Sequence, residues 1–212
     1  MANSYRNRWE AGERLLAPLE PFLDNAILLA LPRGGVKVAE PIARRTGVPL
    51  DVMMVRKLGV PGQEELAMGA IAEGGFRVVN ERVTEQLRDP ESALDEAGRR
   101  EREELRRRAD LYRVGRDRPN LAGRAAILID DGLATGATMK AAAHAVREEG
   151  AAKVVVAVPV APPETIRELE QLADVVVCPM QPKSFLGVGA FYDDFTQVTD
   201  EEVRETLSGV AA

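Results

Sequence analysis

Cysteine, histidine and aromatic residues are scarce in this chain. Its 212 residues include one Cys and one His, and aromatic side chains make up 4%. The lone Cys178 excludes an internal disulfide and suits a reducing compartment. His144 has no Cys or carboxylate at metal-ligand spacing, which argues against a zinc site. Neither a secretory leader nor an apolar run of roughly 20 residues is visible, so we expect a cytoplasmic protein without membrane contact.

An excess of positive charge is missing too. The formal net charge is −6, whereas nucleic-acid binding usually draws on clustered Lys and Arg. The densest basic stretch, Arg99 to Arg108, alternates with Glu at helical spacing, which favours a solvated helix face with i,i+4 pairs over an RNA-binding surface. With 45% hydrophobic and 29% charged residues, the composition is that of a globular protein. Nucleic acid is therefore not an expected partner.

Short apolar runs alternate with helical patterns along most of the chain. The runs cover residues 26–31, 50–55, 125–129, 154–160 and 175–178, and the helical patterns cover 36–45, 90–112, 138–149 and 163–172. This alternation predicts an α/β fold with a doubly wound, mostly parallel sheet. Such sheets bind ligands at the carboxyl ends of their strands.

Two segments depart from the alternation. Residues 66–72 and 76–79 flank Gly74-Gly75, which predicts a β-hairpin, and residues 56–65 are polar with Gly59, Pro61 and Gly62, which predicts a mobile loop. From Lys183 onward the sequence turns aromatic and acidic. We therefore expect a core over residues 1–182, with a flexible part at about 56–80, and a small C-terminal hood over 183–212.

The run from Ala126 to Met139 combines features that suit a phosphorylated sugar. An apolar strand ends in Asp130 and Asp131, and Thr135-Gly-Ala-Thr138 then opens a helix. The free N–H groups and dipole of a helix start favour phosphate. Carboxylates accept hydrogen bonds from sugar hydroxyls or order the waters of magnesium. Taken singly, each residue is equally typical of an Asp-Gly turn or a Thr helix cap.

The whole run, AILIDDGLATGATM, resembles the signature of type I phosphoribosyltransferases, which bind 5-phosphoribosyl diphosphate (PRPP). The resemblance implies that Asp130 and Asp131 hold the ribose hydroxyls and act in catalysis. It also implies a homodimer and a Mg²⁺ cofactor held mainly by PRPP, without direct protein ligands. The residues expected to wrap the 5-phosphate are Ala134, Thr135, Gly136, Ala137 and Thr138.

Two other segments fit the order of elements in that family. Leu31-Pro-Arg-Gly-Gly-Val36 links a strand to a helix, and the resemblance implies that Arg33, Gly34 and Gly35 receive the diphosphate. Arg56 and Lys57 would add basic contacts from a loop that closes over PRPP. The first segment is also typical of a plain strand-to-helix turn, and the two basic residues of a solvated strand end.

The resemblance implies transfer of the phosphoribosyl group to a nitrogenous base, with a purine favoured. The base-binding candidates Lys183, Phe185, Phe191 and Tyr192 lie in a run similar to the hood of purine-salvage members, although core packing is the alternative. Ala134 replaces the acid that hypoxanthine-guanine members carry before Thr-Gly, so Glu64 or Glu65 is the candidate general base. A PRPP-sensing regulator or nucleic-acid-binding protein on the same fold is the alternative function.

Overall fold

The computed structural model describes residues 4–210, except for the side chain of Glu65. The strands are β1 (Ala26–Ala30), β2 (Leu50–Val52), β3 (Val55–Val60), β4 (Gln63–Ala72), β5 (Arg77–Val79), β6 (Ala125–Ile129), β7 (Lys153–Ala157) and β8 (Val175–Val177). The α-helices are α1 (Arg8–Leu19), α2 (Gly34–Thr46), α3 (Glu81–Thr84), α4 (Pro90–Arg113), α5 (Ala137–Glu148), α6 (Pro163–Leu169) and α7 (Asp200–Ser208). None of the helices within this described range is both long and apolar enough to cross a bilayer.

The main sheet has five parallel strands in the order β2-β1-β6-β7-β8, which confirms the predicted doubly wound α/β fold. All five residues of β1 are buried, as expected for a strand covered on both faces. Ile129 pairs with Ala30 on one side and with Ala157 on the other. The central strands therefore end at one common edge, where the residues that follow them come together.

A second, antiparallel sheet is formed by β3, β4 and β5. The hairpin predicted around Gly74-Gly75 is confirmed. Residues 56–65, predicted as a mobile loop, instead form most of β3 and the start of β4, and their mobility stays a prediction. Gly59 lies inside β3, where a Cβ atom would be 2.4 Å from the carbonyl oxygen of Glu64. This glycine permits a close approach of two strands instead of breaking one.

The C-terminal segment divides into two parts. Helix α7 joins the main core through the buried Val203 and Leu207. Residues 183–198 form a cap that also includes the start of the chain, because Tyr5 N–H donates to the Phe191 carbonyl and Asp193 N–H donates to the Tyr5 carbonyl, both at 2.8 Å. The cap is thus built from both ends of the chain, and only part of the region predicted as a hood belongs to it.

Candidate active site

Asp130 and Asp131 follow β6 at the carboxyl edge of the sheet. The Asp131 N–H donates to Asp130 Oδ1 at 2.8 Å. The glycines that follow β1 press against this pair: a Cβ atom on Gly34 would lie 1.9 Å from Asp131 Oδ2, and one on Gly35 would lie 2.5 Å from the Ile129 carbonyl oxygen. The predicted diphosphate turn and the acid pair therefore share one site, and this close approach requires glycine.

This contact predicts a local effect of a single methyl group. We expect Gly34→Ala to displace either the turn or the Asp131 carboxylate, since overpacking at a fixed contact typically costs about 1–3 kcal/mol. Thermal unfolding should show the loss of stability, and calorimetry with PRPP should show weaker binding. Gly47→Ala is a poor control because Gly47 has a positive φ of 70°. Gly98→Ala on α4 is better, since nothing lies within 3.4 Å of its added Cβ. Unchanged PRPP affinity in Gly34→Ala would contradict the shared site.

The two acids differ in their surroundings. Burial raises the pKa of Asp130 well above its usual value, and the charge of Asp131 acts in the same direction. Burial also raises the pKa of Asp131, but the hydrogen bond and charge of Arg8 oppose that rise. The negative charge of the pair is therefore held preferentially on Asp131.

The raised pKa of Asp130 predicts a pH-dependent cost to stability. A carboxyl group whose pKa is raised by folding stabilises the folded state at low pH. That stabilisation is lost as the pH rises from the pKa of the unfolded state, about 3.9, through the pKa of the folded state. Asp130→Asn removes that titration and keeps an Oδ1 to accept the Asp131 N–H. Without ligand, the difference between the melting temperature of the variant and that of the wild type should therefore shift in favour of the variant as the pH rises from about 4 to neutrality. Parallel curves over this range would show that folding does not raise the pKa of Asp130.

Arg8, the first residue of α1, fixes Asp131 from the opposite end of the sequence. Its Nε donates to Asp131 Oδ2 at 2.8 Å, and its Nη1 donates to the Thr196 carbonyl at 2.8 Å. The guanidinium carbon lies 3.9 Å from the centroid of the Phe195 ring, so the cation is also held by an aromatic face. Sequence analysis missed Arg8, because no motif marks a lone arginine whose partner is remote in the chain.

The start of α5 presents free donors directly after the acids. Among the described residues, no hydrogen bond is donated by the backbone N–H groups of Ala134, Thr135, Gly136, Ala137 and Thr138. No side chain caps α5, so neither threonine serves as the helix cap considered above. Gly136 has a φ of 67°, and a Cβ there would lie 2.8 Å from Thr165 Cγ2. The five predicted phosphate residues thus present free N–H donors at a helix N-terminus, an arrangement that suits an anion, and we call them the cradle. Their binding of phosphate stays a prediction.

Three comparisons with known proteins bear on this site. The family model described as "Phosphoribosyl transferase domain" matches residues 20–196. The chain belongs to the phosphoribosyl transferase family.

The relatives of this phosphoribosyl transferase agree with that assignment. A provisionally named phosphoribosyl transferase of Mycobacterium tuberculosis (strain H37Rv) is 47% identical over 200 residues, which are 94% of this chain and 45% of that protein. The chain thus spans about half the length of the curated relatives it matches. The crystal structure of TT1426 from Thermus thermophilus has a TM-score of 0.86 at 45% identity and covers 99% of this chain and 100% of that one. AQ2163 from Aquifex aeolicus, with 11% identity, a TM-score of 0.51 and coverage of 82% and 72%, shares the fold alone.

Three other predicted site residues of this phosphoribosyl transferase contact helices instead of the acid pair: the diphosphate candidates Arg33 and Arg56, and the general-base candidate Glu64. Arg33 Nη1 lies 4.0 Å from Asp200 Oδ1 of α7, and Arg56 Nε donates to Glu101 of α4 at 2.8 Å. Glu64 is exposed and lies 3.5 Å from Arg100 of α4. Lys57 is exposed on β3, and Glu65 belongs to β4 with its side chain outside the described residues. The roles assigned to these residues stay predictions.

The predicted base-binding residues lie in the cap, which touches the site. A Cβ atom on Gly132 would lie 2.6 Å from Val188 Cγ1, so the cap covers the turn that follows the acids. Phe185 and Phe191 stack on each other with centroids 5.4 Å apart, and Lys183 is exposed. Tyr192 is buried, and its hydroxyl donates to the Asp131 carbonyl at 2.6 Å. These contacts give Tyr192 a structural role beneath the site, while stacking on a base stays a prediction for the two phenylalanines.

Proposed function

We propose that this chain transfers the 5-phosphoribosyl group of PRPP to a nitrogenous base and releases diphosphate. The observation that carries the proposal is the adjacency of the acid pair to the free N–H groups of residues 134–138. The acids accept hydrogen bonds from sugar hydroxyls, and the amides bind a phosphate group. A sugar phosphate requires both kinds of contact a short distance apart, and the cradle follows the acids directly in the chain.

The reaction is a substitution at C1 of the ribose. The lone pair of a base nitrogen forms the new C–N bond, and the C–O bond to the diphosphate breaks, with its electron pair leaving on the diphosphate. The attacking nitrogen then loses its proton to a general base, for which Glu64 and Glu65 are the candidates. Positive charge develops on the ribose during this substitution, and the charge that Arg8 holds on Asp131 stabilises it in a site sheltered from water.

Magnesium fits the donor set of this site. Mg²⁺ usually keeps several waters and is bound in part by substrate phosphates, and the carboxylates of Asp130 and Asp131 could accept hydrogen bonds from those waters. Within residues 4–210, Glu65 side chain excepted, no group of three or more His, Cys, Asp or Glu is placed to hold a metal. PRPP and water would therefore supply most ligands, and the bound ion would neutralise charge on the departing diphosphate.

A purine is the acceptor we favour, because the cap places an aromatic pair beside the site. Phe185 and Phe191 stack on each other and pack against the same buried cluster of the cap as Val188, which lies against Gly132. Flat heterocycles bind to such aromatic surfaces. A pyrimidine would leave more of the same surface exposed to water.

A panel of bases tests the proposal. Labelled PRPP and magnesium are incubated with each purine and pyrimidine base, and diphosphate release is measured with wild type and with Thr135→Ala/Thr138→Ala. We expect release with a purine, and a much higher KM for PRPP in the variant, because two hydroxyls of the cradle are removed. Binding of PRPP without diphosphate release for any base would contradict phosphoribosyl transfer and favour the alternative function, a PRPP-sensing regulator. Diphosphate release with pyrimidines alone would contradict the proposal that the acceptor is a purine.

A further inference from the structure

A cleft of about 610 Å³ lies between α4 and the turn that joins β4 to β5. It is remote from the acid pair. Arg118, which lines it, donates to Glu149 at the C-terminal end of α5 at 2.6 Å, whereas the phosphate cradle is at the N-terminal end of the same helix. A helix of this length spans about 18 Å at 1.5 Å per residue. The cleft is therefore separate from the candidate active site.

Three arginines line the cleft: Arg102, Arg106 and Arg118. Arg102 and Arg106 are four residues apart on α4 and so lie on one face of the helix, where like charges repel. Among the described residues, neither guanidinium has a hydrogen-bonding or ion-pair partner, and Arg102 Nε is buried without an acceptor. Within residues 4–210, these two adjacent cations, one of them partly shielded from water, therefore have no counter-ion in contact.

Other arginines on α4, unlike Arg102 and Arg106, are paired with an acid. Arg107 and Arg108 both donate to Glu104, at 2.8 Å and 2.7 Å, as the alternating sequence predicts. One acid, Glu73, lines the cleft together with the arginines, but it is engaged by Arg113 and lies 3.8 Å from Arg118, which also donates to Glu149. Within the described structure, the charges of Arg102 and Arg106 are thus not balanced by an ion pair.

The opposite wall of the cleft adds one free backbone donor. Gly74 and Gly75 have φ values of 90° and 89°, and a Cβ atom on Gly74 would lie 3.2 Å from Arg118 Nη1. Among the described residues, the Gly74 N–H donates no hydrogen bond. A glycine turn of this kind lets its backbone approach a ligand closely, and exposed N–H groups beside guanidinium groups favour an anion.

We propose that this cleft is a second binding site, for a small molecule that carries a phosphate group. Guanidinium groups bind phosphate oxygens in pairs of parallel hydrogen bonds, and Arg102 and Arg106 are free to make them. The cleft exceeds the volume of a single phosphate and falls in the range of ligand sites, about 300–1,000 Å³. The ligand is therefore a phosphorylated metabolite up to the size of a nucleotide, bound independently of phosphoribosyl transfer.

Calorimetry with inorganic diphosphate, in the absence of magnesium, tests this site. The four proteins are wild type, Arg102→Gln/Arg106→Gln, the cradle variant Thr135→Ala/Thr138→Ala, and a control, Arg99→Gln/Arg107→Gln, which removes the same charge from α4 outside the cleft. We expect two sites in wild type and in the control. The cleft variant should weaken one site by about tenfold or more, and the cradle variant should weaken only the other. Arg106→Gln alone, a change at an exposed residue, repeats the test if the double variant does not fold.

The outcomes separate this proposal from the proposed function. If wild type binds diphosphate at one site and the cleft variant loses that site, the result supports binding in the cleft and contradicts binding in the cradle. One site lost only in the cradle variant overturns the cleft, as does equal weakening in the cleft variant and the α4 control, which would indicate a general effect of charge. Absence of any binding in wild type overturns it as well.

Discussion

Replacement of Asp130 and Asp131 together by Asn should lower phosphoribosyl transfer by about 1,000-fold or more, while the chain remains folded. Removal of one preorganised electrostatic contact to a transition state typically costs about 10²–10³ in rate, and this change removes both carboxylates from the reacting ribose. The substitution also leaves Arg8 without the Oδ2 carboxylate oxygen to which it donates at 2.8 Å. The fold should persist because asparagine matches aspartate in shape and relieves the burial of two acids.

The measurement is kcat/KM for PRPP with the base found most active, accompanied by thermal unfolding. A matched control is Glu148→Gln/Glu170→Gln, which removes two exposed carboxylates that have no hydrogen-bonding or ion-pair partner among the described residues. The control should retain wild-type rates. Retention of a tenth of the wild-type rate by the Asp130/Asp131 variant would reject the role assigned to the pair.

The acid pair and the phosphate cradle could be predicted from sequence because they are contiguous. A strand, a turn and a helix start are encoded in one run, Ala126 to Met139, and each local preference agrees with the others. The run Leu31 to Val36 was recognised for the same reason. Its contact with Asp131 follows from the pairing of β1 with β6, which the structure shows and the apolar pattern of the two strands does not specify.

The contacts that depend on distant segments could not be predicted. Arg8 meets Asp131 across 123 positions of sequence, and Tyr192 meets it across 61. Neither contact leaves a local pattern, because an arginine at a helix start and a tyrosine in an aromatic run are each ordinary. The hairpin at residues 56–65 was misjudged for another reason: glycine marks a loop in one setting and a close strand pair in another, and only tertiary structure distinguishes them.

The distant contacts also explain why two adjacent acids differ. Asp131 receives Arg8 on its carboxylate and the Tyr192 hydroxyl on its carbonyl. Asp130 is hydrogen-bonded by the Asp131 N–H and is more deeply buried. Burial raises the pKa of both acids, and Arg8 opposes that rise at Asp131, so a ribose with two neighbouring hydroxyls would meet one acid that ionises more readily than the other. Contacts from the cap and from Arg8 set this difference between the two acids. Both ends of the chain therefore shape the site, although neither belongs to the run Ala126 to Met139.

Arg8→Ala should lower kcat/KM for PRPP by about 100-fold, because small misplacement of a reacting group has effects of that order, and should shift the acidic limb of its pH profile to higher pH. The sign follows from the contact: Arg8 lowers the pKa of Asp131, so its removal raises that pKa and requires a higher pH for ionisation. Arg8→Lys keeps the charge but not the fork of donors, and should shift the limb less. Arg14→Ala is the control, since Arg14 is also on α1 and contacts the cap through Tyr5. A fall in rate without a shift of the limb would restrict Arg8 to holding the cap in place.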